Sequence, residues 1–286
     1  MTKKPETIKQ KDLIKRKDGL YYEKYARKTF TGSTVSTIFY QTLFELRLGE
    51  YRRFTRRRSF KDGLLHGLFE EFDESNRFLE LKGHYKNGKR HGVWKKFYKN
   101  GNLEHRERYK DGLAHGVWKY FYENGNLQFR ENYKDGVGRG VSEYWYKNGN
   151  LEHRERWKNG ESHGVWEFWY KNGNLMIRER WKNGESHGVF ERWHKNGNRE
   201  YRRSYKNDRL DGVWEDYYRD KNGNLKSRLN YKYNQLHGIA EWFYKNGNLE
   251  YRYFYKNDKL HGVWERWYKN GNLKEKRRYK NGKRQA

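Results

Sequence analysis

The sequence predicts an all-β fold: an elongated, single-layer, twisted antiparallel meander built from tandem 24-residue hairpins. Three observations predict it. A glycine recurs at Gly67, Gly92, Gly116, Gly140, Gly164, Gly188, Gly212, Gly238 and Gly262, in steps of 24 to 26 residues. A fixed period of this size marks a repeat architecture. Each interval holds two short runs rich in aromatic and β-branched residues, the composition of strands. A turn signal interrupts the chain about every twelve residues, which leaves no room for a helix.

Each repeat has two turn signals. The first is Asn-Gly, as at Asn148-Gly149, Asn172-Gly173 and Asn196-Gly197. Both residues accept positive φ, so a two-residue type I′ loop is expected there. The second is weaker: Asn159-Gly160 and Asn183-Gly184 decay to Asn207-Asp208, Tyr233-Asn234 and Asn257-Asp258. One repeat is therefore one hairpin.

The register follows from the first turn. Centred on Asn172-Gly173, it sets Trp166 opposite Glu179, Glu167 opposite Arg178, Phe168 opposite Ile177 and Tyr170 opposite Leu175. Opposed residues share a face. One face then carries Trp166, Phe168, Tyr170, Leu175, Ile177 and Trp181. The other carries Val165, Glu167, Trp169, Arg178 and Arg180. Centring the next turn on Asn183-Gly184 sets Arg178 opposite Val189 and keeps both faces, so no slip is expected.

Residues 1–18 read as a basic flexible N-terminus and residues 19–60 as an atypical β capping segment. Residues 61–286 read as nine hairpin units. Within the cap, Gly19 to Tyr25 reads as a strand, Thr29 to Gly32 as an edge or turn, and Ser33 to Leu48 as two strands. The first unit has Asp73-Glu-Ser-Asn76 where an Asn-Gly turn is expected, and two extra residues near Arg219-Asp220 imply a longer hairpin loop. About twenty strands, each adding 4.7–4.9 Å, would make a rod on the order of 90–100 Å long.

Composition narrows the function. The 286 residues carry a net charge of +28, and the first 60 hold +10 of it. Leu, Ile, Val and Phe fall just under the roughly 20% associated with disorder. Twelve Trp and 26 Tyr at fixed repeat positions supply the missing apolar surface. There is no Cys, which excludes disulfides, thiolate metal sites and a Cys nucleophile. No apolar run is long enough for a membrane span or a signal peptide, so a cytoplasmic location is expected.

The pattern Gly-x-Trp-x-x-x-Tyr-x-x-Gly, with Tyr-Lys-Asn-Gly closing each unit, resembles MORN repeats. It is most similar to the bacterial variant found in YwqK-family antitoxins, over residues 61–286. Gly19-Leu-Tyr-Tyr and Phe30-Thr-Gly32 also look like the segment preceding such repeats. The resemblance implies an elongated antiparallel sheet and a non-catalytic binding role. In eukaryotic relatives of the repeat, that role has been linked to membranes, phosphoinositides and protein assembly.

No enzyme site emerges. His66, His91, His115, His163, His187, His237 and His261 recur beside the repeat glycine. Equivalent positions lie two strands apart, about 9.5 Å, so they cannot share a metal ion. They read as polar residues flanking turns. Ser162 and His163 are adjacent and point to opposite faces, so no nucleophile and base pair up. No cofactor is expected.

The cations divide into two groups. Arg106, Arg130, Arg154, Arg178, Arg202, Arg228 and Arg252 form a row that could hold anions. The register sets Glu143, Glu167, Glu191 and Glu241 opposite four of these and Glu265 opposite Lys276, so internal pairing is the favoured reading. Arg52, Arg53, Arg56, Arg57 and Arg58, with the turn lysines, lack obvious partners and suit long-range attraction. The candidate binding residues are therefore that arginine cluster with Trp166, Trp169, Arg178, Arg180 and Trp193. The expected partner is an acidic protein, since Trp, Tyr and Arg dominate binding hot spots. The alternatives are nucleic acid and an anionic lipid surface.

Overall fold

The computed structural model describes residues 7–40, 52–73, 78–220 and 222–286. The chain forms two compact units, residues 1–139 and 140–286. Each is dominated by an antiparallel meander of the expected hairpins.

In the first unit, Thr7–Lys9 pairs in parallel with the strand Gly32–Tyr40. Leu13–Lys15 and Tyr21–Glu23 form a small ribbon of their own. The meander then runs through Gly32–Tyr40, Arg52–Lys61, Leu64–Asp73, Phe78–Lys86, Lys89–Phe97 and Leu103–Lys110. It continues through Gly116–Phe121 and Leu127–Lys134. Thr29 makes only an isolated bridge to Tyr22. Of the two strands expected between Ser33 and Leu48, one is present as Gly32–Tyr40. Residues 41–48, and Glu74 to Asn76 of the imperfect turn, lie outside the described residues.

This unit holds the buried hydrophobic cluster. Leu13, Phe30 and Phe60 pack together with Ile8, Tyr21 and Leu65 against them. A second centre forms at Trp94, which is fully buried against Phe69 and Tyr85 at ring separations of 5.4 and 5.0 Å. Gly83, on the neighbouring strand, makes room for it: a Cβ there would lie 2.1 Å from the indole.

The second unit is six hairpins in series, from Gly140–Trp145 with Leu151–Lys158 to Gly262–Trp267 with Leu273–Lys280. The expected pairs Trp166↔Glu179, Glu167↔Arg178 and Phe168↔Ile177 are present. Three expectations need correction.

The Asn-Gly turns are not two-residue loops. At Asn172-Gly173 only the glycine has positive φ, at +90°. Tyr170 N donates to Asn174 O at 2.8 Å and Gly173 N to Tyr170 O at 2.8 Å. The loop is Lys171-Asn172-Gly173, a three-residue connection whose glycine makes a bulge. The pairing therefore shifts, and Trp169 rather than Tyr170 meets Leu175. The two-residue turn with positive φ at both positions is the weaker signal: Asn183 has φ 51° and Gly184 79°. Asn207-Asp208, Tyr233-Asn234 and Asn257-Asp258 keep this conformation without glycine.

The second correction concerns the repeat glycine. After Trp181↔Ser186 the register moves by two residues, so Arg178 meets Glu191 and not Val189. The cause is the bend at His187-Gly188, where Gly188 has φ +91°. Gly164, in the same position one repeat earlier, would drive a Cβ to 2.9 Å from Arg156 Cδ. Because the shift is even, both sheet faces survive it.

The third correction is that Arg56 and Arg57 do have partners. Arg56 pairs with Glu71, and Arg57 Nη1 lies 3.7 Å from Glu70. The longer loop near Asp220 is as expected, with Asp220 Oδ1 accepting from the backbone of Asn222 and Gly223 at 3.1 Å each.

Candidate functional site

The repeat motif is a stitch as well as a turn. Tyr170 Oη donates to Trp193 O at 3.0 Å, and Asn172 Nδ2 and Asn174 Nδ2 donate to Lys195 O at 3.0 and 2.9 Å. Tyr146, Asn148 and Asn150 do the same to Trp169 O and Lys171 O. Each turn thereby fastens to the next one along. From the sequence, Tyr170 is expected on the ring-bearing face opposite Leu175 and Asn172 only as a turn former. In the units with an Asn-Gly turn, the signal available was the constant second Asn and the Tyr that recurs everywhere except at His194, neither of which a turn alone requires.

The repeat histidines His91, His115, His187 and His237 likewise reach the next turn. His187 Nδ1 lies 3.2 Å from Asn207 Oδ1 and His237 Nδ1 3.1 Å from Asn257 Oδ1, each in the next two-residue turn. His91 and His115 reach Asp111 and Asp135 at 3.4 and 3.5 Å. No group of three metal-ligating side chains occurs among the described residues.

In the second unit the two faces differ sharply. One is a column of rings: Trp166 lies 5.1 Å from Trp157 and 5.6 Å from Trp181, and its indole N–H donates to Arg156 O. Glu179 sits opposite Trp166 on this face. Burial pushes its carboxyl pKa up, only partly offset by the Trp181 N–H. A carboxylate whose folded pKa is raised destabilises the fold once ionised, and that penalty disappears as the pH falls below the folded pKa. Glu179→Gln is therefore expected to raise the melting temperature at pH 7. The gain should shrink as the pH is lowered into the carboxylate range. Melting curves from pH 4 to 8 test this, and a gain that grows on acidification would contradict it.

The other face carries an ionic ladder. Arg154 Nε binds Glu143 at 2.9 Å and its Nη1 reaches Glu167 at 3.6 Å. Arg178 binds Glu167 at 3.0 Å and reaches Glu191 at 3.9 Å. Arg228 and Arg252 continue in the same way, and Lys276 closes on Glu265 at 3.0 Å. At Glu191 the closest cation is Arg199, at 3.0 Å. Trp169 and Trp193 flank this ladder, 5.8 Å from the guanidinium carbons of Arg154 and Arg178. So Trp169, Trp193, Arg178 and Arg180 share one face, and Trp166 belongs to the other.

Arg178 is thus committed to carboxylates, whereas Arg180, two residues along, is exposed and forms no ion pair among the described residues. It stands with Arg156, Lys182, His163 and His187 around an open cleft of about 550 Å³ whose apolar lining is Val141, Val165 and Trp181. Glu167 is the only acidic residue in the lining, and it is bound by the ladder.

In the first unit, Arg56 and Arg57 are paired as described, and Arg58 is part-buried and donates to Ser36 Oγ at 3.0 Å. Burial lowers the pKa of Arg58. Arg52 and Arg53 are in a strand, but their side chains lie outside the described residues.

The model of the MORN repeat variant matches six segments: 90–111, 114–135, 162–183, 186–207, 236–257 and 260–281. The chain carries MORN repeats. Each matched segment runs from the edge of one repeat glycine through the Tyr-x-Asn-Gly-Asn stitch or its equivalent to the two-residue turn. No curated protein matches the chain. Among solved structures it is similar to the Photorhabdus luminescens Tc holotoxin pore, with 9% identity and a TM-score of 0.21. It is also similar to a TcdB2–TccC3–Cdc42 complex, with 10% identity and a TM-score of 0.15. The alignments cover 89% and 82% of this chain but only 16% of each of the other chains. Neither superposition is close enough to carry a functional conclusion. No helix among the described residues is long and apolar enough to cross a membrane.

Proposed function

We propose that this MORN-repeat chain is a non-catalytic cytoplasmic scaffold that binds an acidic protein through the charged face of its hairpins. The observation that supports it is the cleft around Arg156 and Arg180. The neighbouring ladder arginines spend their charge on glutamates, whereas Arg156 and Arg180 of the second unit are left for a partner. Apolar lining beside the guanidiniums of Arg156 and Arg180 suits a carboxylate side chain set beside apolar ones. Nucleic acid fits less well, because it would need exposed rings to stack on. The rings on the charged face, Trp169 and Trp193, are half-buried beside the guanidiniums of Arg154 and Arg178. In its narrower form, the resemblance to YwqK-family antitoxins makes that acidic partner a toxin held inactive by the scaffold.

The test is affinity capture from the native host with the full chain and with Arg156→Glu/Arg180→Glu, each with and without nuclease. A protein retained by the wild type, lost by the double variant and indifferent to nuclease is the expected result. Capture abolished by nuclease, or unchanged in the variant, would overturn the reading.

A further inference from the structure

The ladder column that holds Glu143, Glu167, Glu191, Glu215, Glu241 and Glu265 in the second unit holds Lys95 and Lys119 in the first. Their cross-strand neighbours are cations as well. Lys82 faces Lys95, Lys95 faces Arg106, Arg106 faces Lys119, and Lys119 faces Arg130. Lys82 is held by Glu70 at 3.0 Å. Lys95, Arg106 and Lys119 form no ion pair or side-chain hydrogen bond among the described residues. Like charges set directly opposite each other destabilise a sheet. Glutamate at two positions would have completed the ladder, as it does seven times elsewhere in the chain, Glu70 of the first unit included. A local rule broken at a cost in stability, with no compensation inside the fold, marks a place where something outside supplies the missing charge.

We propose that the row Lys95–Arg106–Lys119 is a docking site for an acidic α-helix of a protein partner. This deepens the scaffold reading and rests on it. The choice of helix follows from spacing. The row crosses the strands, so its steps are about 4.7–4.9 Å. Carboxylates at alternating i+4 and i+3 positions climb a helix by about 5.4 Å per turn, close to that step. An extended strand presents same-face side chains about 6.6–6.8 Å apart and falls out of step within two residues. Val93 and Val117 lie two residues before the two lysines, on the same face, and offer apolar contact beside the charges. Val117 is 38% exposed.

The experiment uses the full chain and a fluorescent 20-residue alanine-based helical peptide with glutamates at alternating i+4 and i+3 spacing. A peptide of the same composition with dispersed glutamates is the control. Anisotropy titration at 50 mM salt should show at least tenfold tighter binding of the patterned peptide. Lys95→Glu/Lys119→Glu should abolish that preference and raise the melting temperature, because it completes the ladder; loss of binding therefore cannot come from misfolding. Equal binding of the two peptides, undiminished binding by the variant, or a variant no more stable than wild type would each overturn the proposal. So would displacement of the patterned peptide by a single-stranded oligonucleotide of equal charge at lower concentration. Arg156→Glu/Arg180→Glu should leave peptide binding intact. If that variant loses a native partner while the peptides are not discriminated, only the helix proposal falls. If the peptides are discriminated and no protein is captured, the broader reading falls instead.

Discussion

Trp94→Ala is expected to cost residues 1–139 about 3–5 kcal/mol, the range for truncating a fully buried aromatic ring. Trp94 has no exposed surface, packs on Phe69 and Tyr85, and donates its indole N–H to His84 O at 3.1 Å. Truncation removes all of these at once and leaves a cavity. Gly83→Ala should approach the same cost from the other direction. The added methyl would fall 2.1 Å from Cδ2 of the indole, and a ring held on several sides has nowhere to go. Trp166→Ala, at the equivalent repeat position, should cost clearly less, because that ring keeps one side toward solvent. Urea unfolding of the three variants measures the difference. Equal losses for Trp94→Ala and Trp166→Ala would mean that the first unit has no core distinct from its repeats.

That contrast shows what was legible in the sequence. The period gave the hairpins, and the alternation within each run gave the faces, because a strand's side chains alternate whatever the turn does. The turn types were read in reverse. Asn-Gly satisfies both a two-residue loop and the end of a three-residue loop, and nothing local distinguishes them. Asn207-Asp208 has no glycine, yet it holds φ of 50° and 59°. Its Asp208 carboxylate accepts the backbone N–H of Ser186 at 2.7 Å, a partner 22 residues away. Turn chemistry alone cannot show such an anchor. The two-residue slip at Gly188 was hidden for a similar reason, since an even shift leaves every face unchanged. The Glu–Arg pairs were legible, but not their continuation: the slip is what brings Arg178 opposite Glu191 as well as Glu167. Arg56 and Arg57 were misjudged because the Asp62-Gly63 turn, which folds the strand carrying Glu70 and Glu71 back beside them, was not read as a turn signal.

Arg178→Glu is expected to destabilise residues 140–286 by about 1–3 kcal/mol, whereas Arg180→Glu should change stability by no more than about 0.5 kcal/mol. The two arginines are two residues apart on one face of one strand, so propensity and charge change are matched. They differ in what they meet. Arg178 lies between Glu167 and Glu191, whose side chains are only 16% and 13% exposed. Reversal sets a third carboxylate beside both, leaving Glu167 with Arg154 at 3.6 Å and Glu191 with Arg199 at 3.0 Å. Arg180 lies opposite Val165 and has no carboxylate to strand. A swap sharpens the test. For an isolated pair, Glu167→Arg with Arg178→Glu would restore the lost stability. In a ladder it cannot, because the arginine placed at 167 meets Arg154 and the glutamate placed at 178 meets Glu191. One contact returns while two like-charge contacts remain. The double variant should therefore stay well below wild type in thermal melts, and part of the deficit should close as salt is raised. Full rescue by the swap would show that the bridging distances of 3.6 and 3.9 Å carry no energy and that the column is a set of separate pairs.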